Sequence, residues 1–364
     1  MMVDWQNFDY FLPKKNLALS PAVPRESSKI FIYNTKKDKI IFDRFYNLGK
    51  YLPKNSFLVL NNTKVLPARV ELRKSTGGKV IVLLLINELG NFIKAMVDRK
   101  VNIGDKLFID NKYYFSVIDQ KEKIFYLKFN GNRLWLLNKL TEIGKTPVPL
   151  YLRKTPLTEK ELRRKYQTIF ARAPVGARLS SVAAPTASLH FTNRVFKKLK
   201  RQGIEKYFIT LHVGLGTFAP ITDKNLKEKK LHEEYFEVDE ETLHYINIMK
   251  SKEKKLVAVG TTVTRTLESL KLKVKSQKSK MKVKSQNLET RIFDKTNLFI
   301  FPPFDFKMVD ILITNFHLPK SSLMMLVEAF LQFKKSRRKL INLYKIATEK
   351  NFRFYSFGDA MMIK

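Results

Sequence analysis

Residues 182–218 read VAAPTASLHFTNRVFKKLKRQGIEKYFITLHVGLGTF, and the order of elements within this stretch decides the fold. Pro185 disfavours helix around itself, and Thr186, Ser188, His190 and Thr192 crowd small polar groups into the residues that follow. Phe191, Val195, Phe196 and Leu199 then recur at helical spacing, which predicts a helix over 191–201 capped by Thr192 or Asn193. Glu205–His212 reads as a short strand that runs into Gly214-Leu215-Gly216-Thr217. A helix feeding a strand that ends in a glycine corner is a unit of an α/β sheet. The helix mouth and the corner together are ingredients of a pocket for an anionic or highly polar small molecule. His190 and His212 stand where elements end, and each reads equally well as a satisfied structural group or as part of that pocket.

Toward higher numbers, strands and helices keep alternating. KLVAVG at 255–260 is an apolar strand; Thr261 and Thr262 follow, and a helix begins near Thr264 carrying Arg265 and Glu268, a second anion-receiving corner. Strands are expected at 297–301, at 308–314 (ending in Asn315-Phe316-His317) and at 352–355, with helices at 238–248, 321–330 and 340–349. Between them, 271–286 holds KVKSQ twice, is strongly basic and has few large apolar residues, so it reads as a flexible basic loop.

Toward lower numbers, SKIFIYN at 28–34 and 39–42 make a hairpin, and 57–61 is a strand ending in Asn61, Asn62 and Thr63, with Arg69 just beyond. Polar residues at the carboxyl end of a strand are where open α/β sheets place ligand contacts. From 68 to 130 the pattern changes to short β-type runs separated by Gly, Asn or Asp turns, with no convincing helix until 134–143, which suggests a small antiparallel barrel or sandwich. Thr158 with Glu161 marks a capped helix start. The chain therefore divides into an α/β major domain, residues 1–66 and 150–364, interrupted by a small all-β domain at 67–149.

Composition sets outer bounds. A chain of 364 residues with 44% hydrophobic residues, 28 Phe and 14 Tyr buries a large core. With no cysteine, disulfides, thiol nucleophiles and thiolate metal sites are excluded, and five scattered histidines lack HxH or HExxH spacing, so no metal site is expected. The opening MMVDWQNFDYFLPKK has no secretory pattern and no run of 18 uncharged apolar residues occurs, so the expected location is the cytoplasm, with no membrane partner. A net charge of +36 favours polyanions such as nucleic acid. A monomer is expected.

Nine segments carry a specific resemblance: FDYFLP (8–13), LVLNNTKVLPARV (58–70), TGGKV (76–80), YQTIFA (166–171), VAAPTASLHFT (182–192), HVGLGTF (212–218), VAVGTTVTRTLES (257–269), TNLFIFPPFDFKMVDILITNFHLPKSSLMMLV (296–327) and FRFYSFGDAMMI (352–363). In this order the chain resembles the S-adenosylmethionine:tRNA ribosyltransferase-isomerase family of queuosine biosynthesis. The resemblance implies an α/β domain interrupted by a β-barrel. It also implies transfer of the ribosyl part of S-adenosylmethionine to 7-aminomethyl-7-deazaguanine at the tRNA wobble position, with isomerisation to epoxyqueuosine and release of adenine and methionine. No cofactor is implied beyond that co-substrate; the partner is the precursor-bearing tRNA. The chain departs from the family pattern at Ser188, Ala219 and Pro303, and its basic 271–286 segment is longer than usual.

Such a reaction asks for a base near C5′, a proton donor to the departing adenine, and an acceptor for the amine proton. His190, His212, His317, Glu233 and Asp359 are the candidates for that work. Asn61, Asn62, Thr63, Arg69, Thr186, Gly214, Gly216, Thr217, Thr261, Thr262, Arg265 and Asn315 are the candidates for binding the nucleoside, with Arg265 suited to a carboxylate or phosphate. Two other readings are a nucleic-acid-binding protein that keeps this scaffold without turnover, and a methyltransferase. The second is disfavoured because no early strand leads into a GxGxG corner.

Overall fold

The structure, a computed structural model, describes residues 5–86, 90–172, 180–214, 221–275, 281–284 and 290–364. Its strands are β1 (Lys29–Asn34), β2 (Lys39–Arg44), β3 (Ser56–Asn61), β4 (Arg69–Lys74), β5 (Lys79–Leu85), β6 (Ile93–Val97), β7 (Lys106–Phe108), β8 (Tyr114–Lys121), β9 (Ile124–Phe129), β10 (Glu205–Leu211), β11 (Lys230–Asp239), β12 (Lys255–Val259), β13 (Met281–Lys284), β14 (Thr290–Leu298), β15 (Ile311–Asn315) and β16 (Ala360–Ile363). Its α-helices are α1 (Arg133–Ile143), α2 (Glu159–Lys165), α3 (Asn193–Arg201), α4 (Asp223–Glu228), α5 (Glu240–Ser251), α6 (Thr261–Lys275), α7 (Ser322–Phe333) and α8 (Leu340–Glu349).

Ten strands form one mixed sheet in the order β13-β14-β11-β10-β3-β12-β15-β16-β1-β2. At its centre β10, β3, β12 and β15 run parallel. These strands are apolar on both faces because both faces are covered. Phe57, Val59, Leu256, Ala258 and Leu312 belong to the core on one side, with α6, α7 and α8; Leu58, Leu60, Val257, Val259 and Ile313 belong to the core on the other, with α3.

The remaining strands close a six-stranded antiparallel barrel in the order β4-β5-β6-β9-β8-β7. Val70, Leu72, Val82, Leu84, Leu107, Phe115 and Leu127 fill it, together with Leu136, Leu137 and Leu140 from α1. The alternation visible in ARVELRK becomes the inward and outward faces of β4. The chain leaves the sheet after β3 and returns after α1 through Gly144, where Arg69 and Lys145 exchange backbone hydrogen bonds. An α/β domain interrupted by a β-barrel is thus the architecture.

Three expectations need correction. Residues 352–355 are not a strand; they make a turn whose Phe354 bridges Leu17, and the last strand is 360–363. The expected strand at 297–301 is the end of β14, which stops at Leu298. The expected basic loop at 271–286 is, where described, the end of α6 and the edge strand β13; 276–280 and 285–286 lie outside the described residues.

Candidate functional site

The carboxyl ends of β12 and β15 open onto a cavity of about 460 Å³. Its wall includes Ala183–Ala187, Val213, His232, Glu234, Gly260–Thr262, Arg265, Thr314–Lys320, and Tyr355 with Ser356. This is the crevice position that parallel α/β sheets favour for ligands. Gly260 makes the corner between β12 and α6: its φ of +99° suits glycine, and its N–H donates to Ile313 O across the sheet at 2.7 Å. The turn delivers Thr261 and Thr262 into the first turn of α6, whose amides have no partner within the helix.

One turn later Arg265 points back to the cavity. Its Nε donates to Leu298 O at 3.2 Å and its Nη1 to Glu234 Oε2 at 2.5 Å. Glu234 accepts from Gly214 N at 2.9 Å through its other oxygen, so one carboxylate fixes both the guanidinium and the start of the glycine corner. Arg265 is 8% exposed and Glu234 2%, which makes them a buried pair. Four polar atoms around the cavity lack a partner among the described residues: Thr262 Oγ1, Arg265 Nη2, and both Oδ1 and Nδ2 of Asn315. Buried polar groups are normally satisfied, so these four atoms give the cavity hydrogen-bonding capacity that a ligand could use.

His317 also lines the cavity. Its Nε2 lies 2.8 Å from Thr314 Oγ1, its backbone N–H donates to Tyr344 Oη at 2.9 Å, and its carbonyl accepts from Tyr10 Oη. Burial lowers its pKa to about 3, so the imidazole is neutral near pH 7.

The other sequence candidates divide by position. Thr186, Thr261, Thr262, Arg265, Asn315 and His317 line the cavity together. Gly214 is tied to it through Glu234. His190 sits behind the 183–187 wall, its Nδ1 2.9 Å from Ser28 Oγ and its ring packed on Phe45; burial, helped by Arg353 and Arg25, lowers its pKa to about 3. His212 immediately precedes the lining residue Val213, and its Nε2 lies 2.8 Å from Glu237 Oε1. Burial alone would raise the Glu237 carboxyl, but the hydrogen bond and charge of His212, with Arg291, hold it below the ordinary value.

Asn61, Asn62 and Thr63 are spent on structure: Asn61 bonds both backbone groups of Leu211, Asn62 accepts from Thr210 Oγ1, and Thr63 meets Ser181 Oγ at 2.6 Å. Arg69 donates to Val148 O where the barrel joins the sheet. Asp359 accepts from Lys29 N and Arg353 N, stitching the last turn to β1. Glu233 is exposed and paired with Lys295 at 3.1 Å. Gly216 and Thr217 lie outside the described residues.

Sequence reasoning picks Glu233 and passes over its neighbour Glu234 and over His232. No simple alternation marks them: the register of β11 shifts between Lys230 and Glu234, and Leu231, His232 and Glu234 line the cavity while Glu233 does not. Among the described residues no group of three or more His, Asp or Glu is gathered to hold a metal ion, and no helix is long and apolar enough to cross a membrane.

Against known proteins, residues 5–363 match the family model described as queuosine biosynthesis protein. A Thermosipho melanesiensis protein named S-adenosylmethionine:tRNA ribosyltransferase-isomerase is 40% identical over 98% of this chain and 98% of its own length. A Staphylococcus saprophyticus protein of the same name is 38% identical over 99% of this chain and 100% of its own. The crystal structure of an S-adenosylmethionine tRNA ribosyltransferase from Thermotoga maritima, 30% identical, aligns over 98% of this chain and 100% of that one with a TM-score of 0.52.

Proposed function

The chain belongs to the queuosine biosynthesis protein family, and from that premise we propose that it is an S-adenosylmethionine-dependent tRNA ribosyltransferase-isomerase. It transfers and isomerises the ribosyl group of S-adenosylmethionine onto 7-aminomethyl-7-deazaguanine at the wobble position of tRNA, giving epoxyqueuosine-tRNA with release of adenine and methionine. The observation that carries this reading is the set of unpartnered polar atoms of Thr262, Arg265 and Asn315 around one cavity at the strand ends. Its size suits a nucleoside-sized ligand.

The residues suggest a division of labour. Arg265 and Glu234 form a pair of opposite charges, complementary to the carboxylate and ammonium of the methionine part, with Arg265 Nη2 open to the carboxylate. His317, neutral and tied to Thr314, holds the wall in shape and is a weak proton acceptor. Glu234 and the more exposed His232 are the cavity's candidates for receiving the amine proton. The RNA is drawn in by the +36 charge. The protein works in the cytoplasm, where such tRNA is found, and as a monomer.

The test is to supply S-adenosylmethionine with tRNA carrying the 7-aminomethyl-7-deazaguanine precursor and to measure the released purine. Adenine in one-to-one yield with modified tRNA is the expected result. S-adenosylhomocysteine instead would make the protein a methyltransferase, and tight RNA binding with neither product would make it an inert binder on the same scaffold.

A further inference from the structure

Among the described residues, Asn315 brings two unpartnered side-chain atoms to the cavity, where Thr262 and Arg265 bring one each. Both Oδ1 and Nδ2 lack a partner among the described residues, although Asn315 is only 2% exposed. Its backbone is held in register with Ala360 across the ladder between β15 and β16. Thr314 and His317, beside it, already satisfy each other, so the amide is not competing for either.

A primary amide presents one acceptor and one donor side by side. That pattern is the complement of the N6–H and N7 edge of adenine, the same fork by which asparagine reads adenine in a DNA groove. A guanine-type edge offers O6 and N7, two acceptors, and would leave Oδ1 facing another oxygen. The 7-deazaguanine carried by the RNA has no N7, so an amide could read it only through O6 and N1–H of its Watson–Crick edge. Depth points the same way: Asn315 closes the end of a sheet strand, whereas His232, on the same cavity, is exposed. The free sulfonium nucleoside reaches the floor more readily than a base still joined to tRNA.

We propose that Asn315 is the adenine-reading residue of the cavity, its Oδ1 accepting from N6 and its Nδ2 donating to N7. The assignment rests on S-adenosylmethionine being the substrate, as argued above, and it places the purine at the floor between Thr262 and Asn315 with the methionine part toward Arg265 and Glu234.

The experiment compares S-adenosylmethionine with its 7-deaza analogue, in which N7 is a C–H, using wild-type protein, Asn315→Leu and Asn315→Asp. Binding of S-adenosylmethionine, its 7-deaza analogue, adenine and 7-deazaadenine is measured by calorimetry without RNA. Binding alone reads the preference, because a 7-deazapurine is a poorer leaving group whatever residue stands at 315. Purine release from S-adenosylmethionine with precursor-bearing tRNA is measured separately. Wild type should lose about ten- to a hundredfold in affinity on moving to the 7-deaza compounds. Asn315→Leu should be weak with both and prefer neither. Asn315→Asp keeps the acceptor for N6 but turns a carboxylate oxygen toward N7, so it should prefer the 7-deaza compounds. A wild type that treats the two alike, or an Asn315→Leu protein that still discriminates as wild type does, overturns the assignment. The binding measurements need no turnover. A protein that discriminates yet releases no purine therefore removes the proposed reaction and leaves the adenine site standing.

Discussion

The buried pair of Arg265 and Glu234 is where stability and function come apart at the level of single residues. Removing Glu234 alone leaves a guanidinium that is 8% exposed without its counter-ion, and breaking such a pair typically costs about 3–5 kcal/mol. Replacing both members by apolar residues of similar size removes that penalty. Glu234→Ala should therefore lower the urea midpoint sharply, and the double variant Glu234→Leu/Arg265→Met should recover most of it while releasing no adenine. A double variant with near wild-type turnover would show that the pair holds the fold and touches no ligand. Residue type and place in the chain are enough to name Arg265, Asn315, Thr186, Thr261 and Thr262, all of which line the cavity, because strand ends, a helix start and the small polar run after Pro185 are written locally. They are not enough to sort the histidines. His190 and His212 stand at element ends like His317, yet their partners, Ser28 and Glu237, come from 162 and 25 residues away, and no local pattern encodes those contacts. Asn61 shows the converse. It occupies the expected strand end, but it is consumed by the backbone of Leu211 on the adjoining strand.

Among the elements, the joint between barrel and sheet is the tightest fit. Gly144 ends α1 with its N–H donating to Leu140 O at 2.9 Å, and a Cβ there would lie 1.8 Å from Pro67 O and 2.5 Å from Leu140 O. Its φ of −71° is open to any residue, so space alone demands glycine. Both close atoms belong to the backbone, which leaves no side chain to swing aside. Gly144→Ala should cost about 1–3 kcal/mol, read as a lower midpoint in thermal or urea unfolding; an unchanged midpoint would mean that the joint yields freely. The barrel itself was legible as six apolar runs between turns, since each inward face is written within its own strand. β11 and β16 were not. β11 carries His232, Glu233 and Glu234 among its apolar residues, and β16 is a four-residue apolar run preceded by a turn that has strand-like composition. Only pairing with neighbours distant in the chain makes either a strand.

On the scale of the whole molecule the charge dominates. Sixty-nine lysines and arginines stand against 33 acidic residues, and a partner with a phosphate backbone converts that excess into counter-ion release. The KM for precursor-bearing tRNA should rise steeply with salt, by roughly tenfold or more between 50 and 200 mM, while the KM for S-adenosylmethionine, a ligand with a single net positive charge, should move little. Equal sensitivity of the two constants would disconnect the charge from RNA recognition. The sheet order carries one more consequence. β16 lies between β15 and β1, so among the described residues the β1–β2 hairpin joins the rest of the sheet through the far-distant segment 360–364. Until those residues pair, the hairpin is an unjoined flap with a bare edge. Completion of the sheet, and with it the floor beneath Asn315, is a long-range closure made only when Ile30–Tyr33 meets Ala360–Ile363.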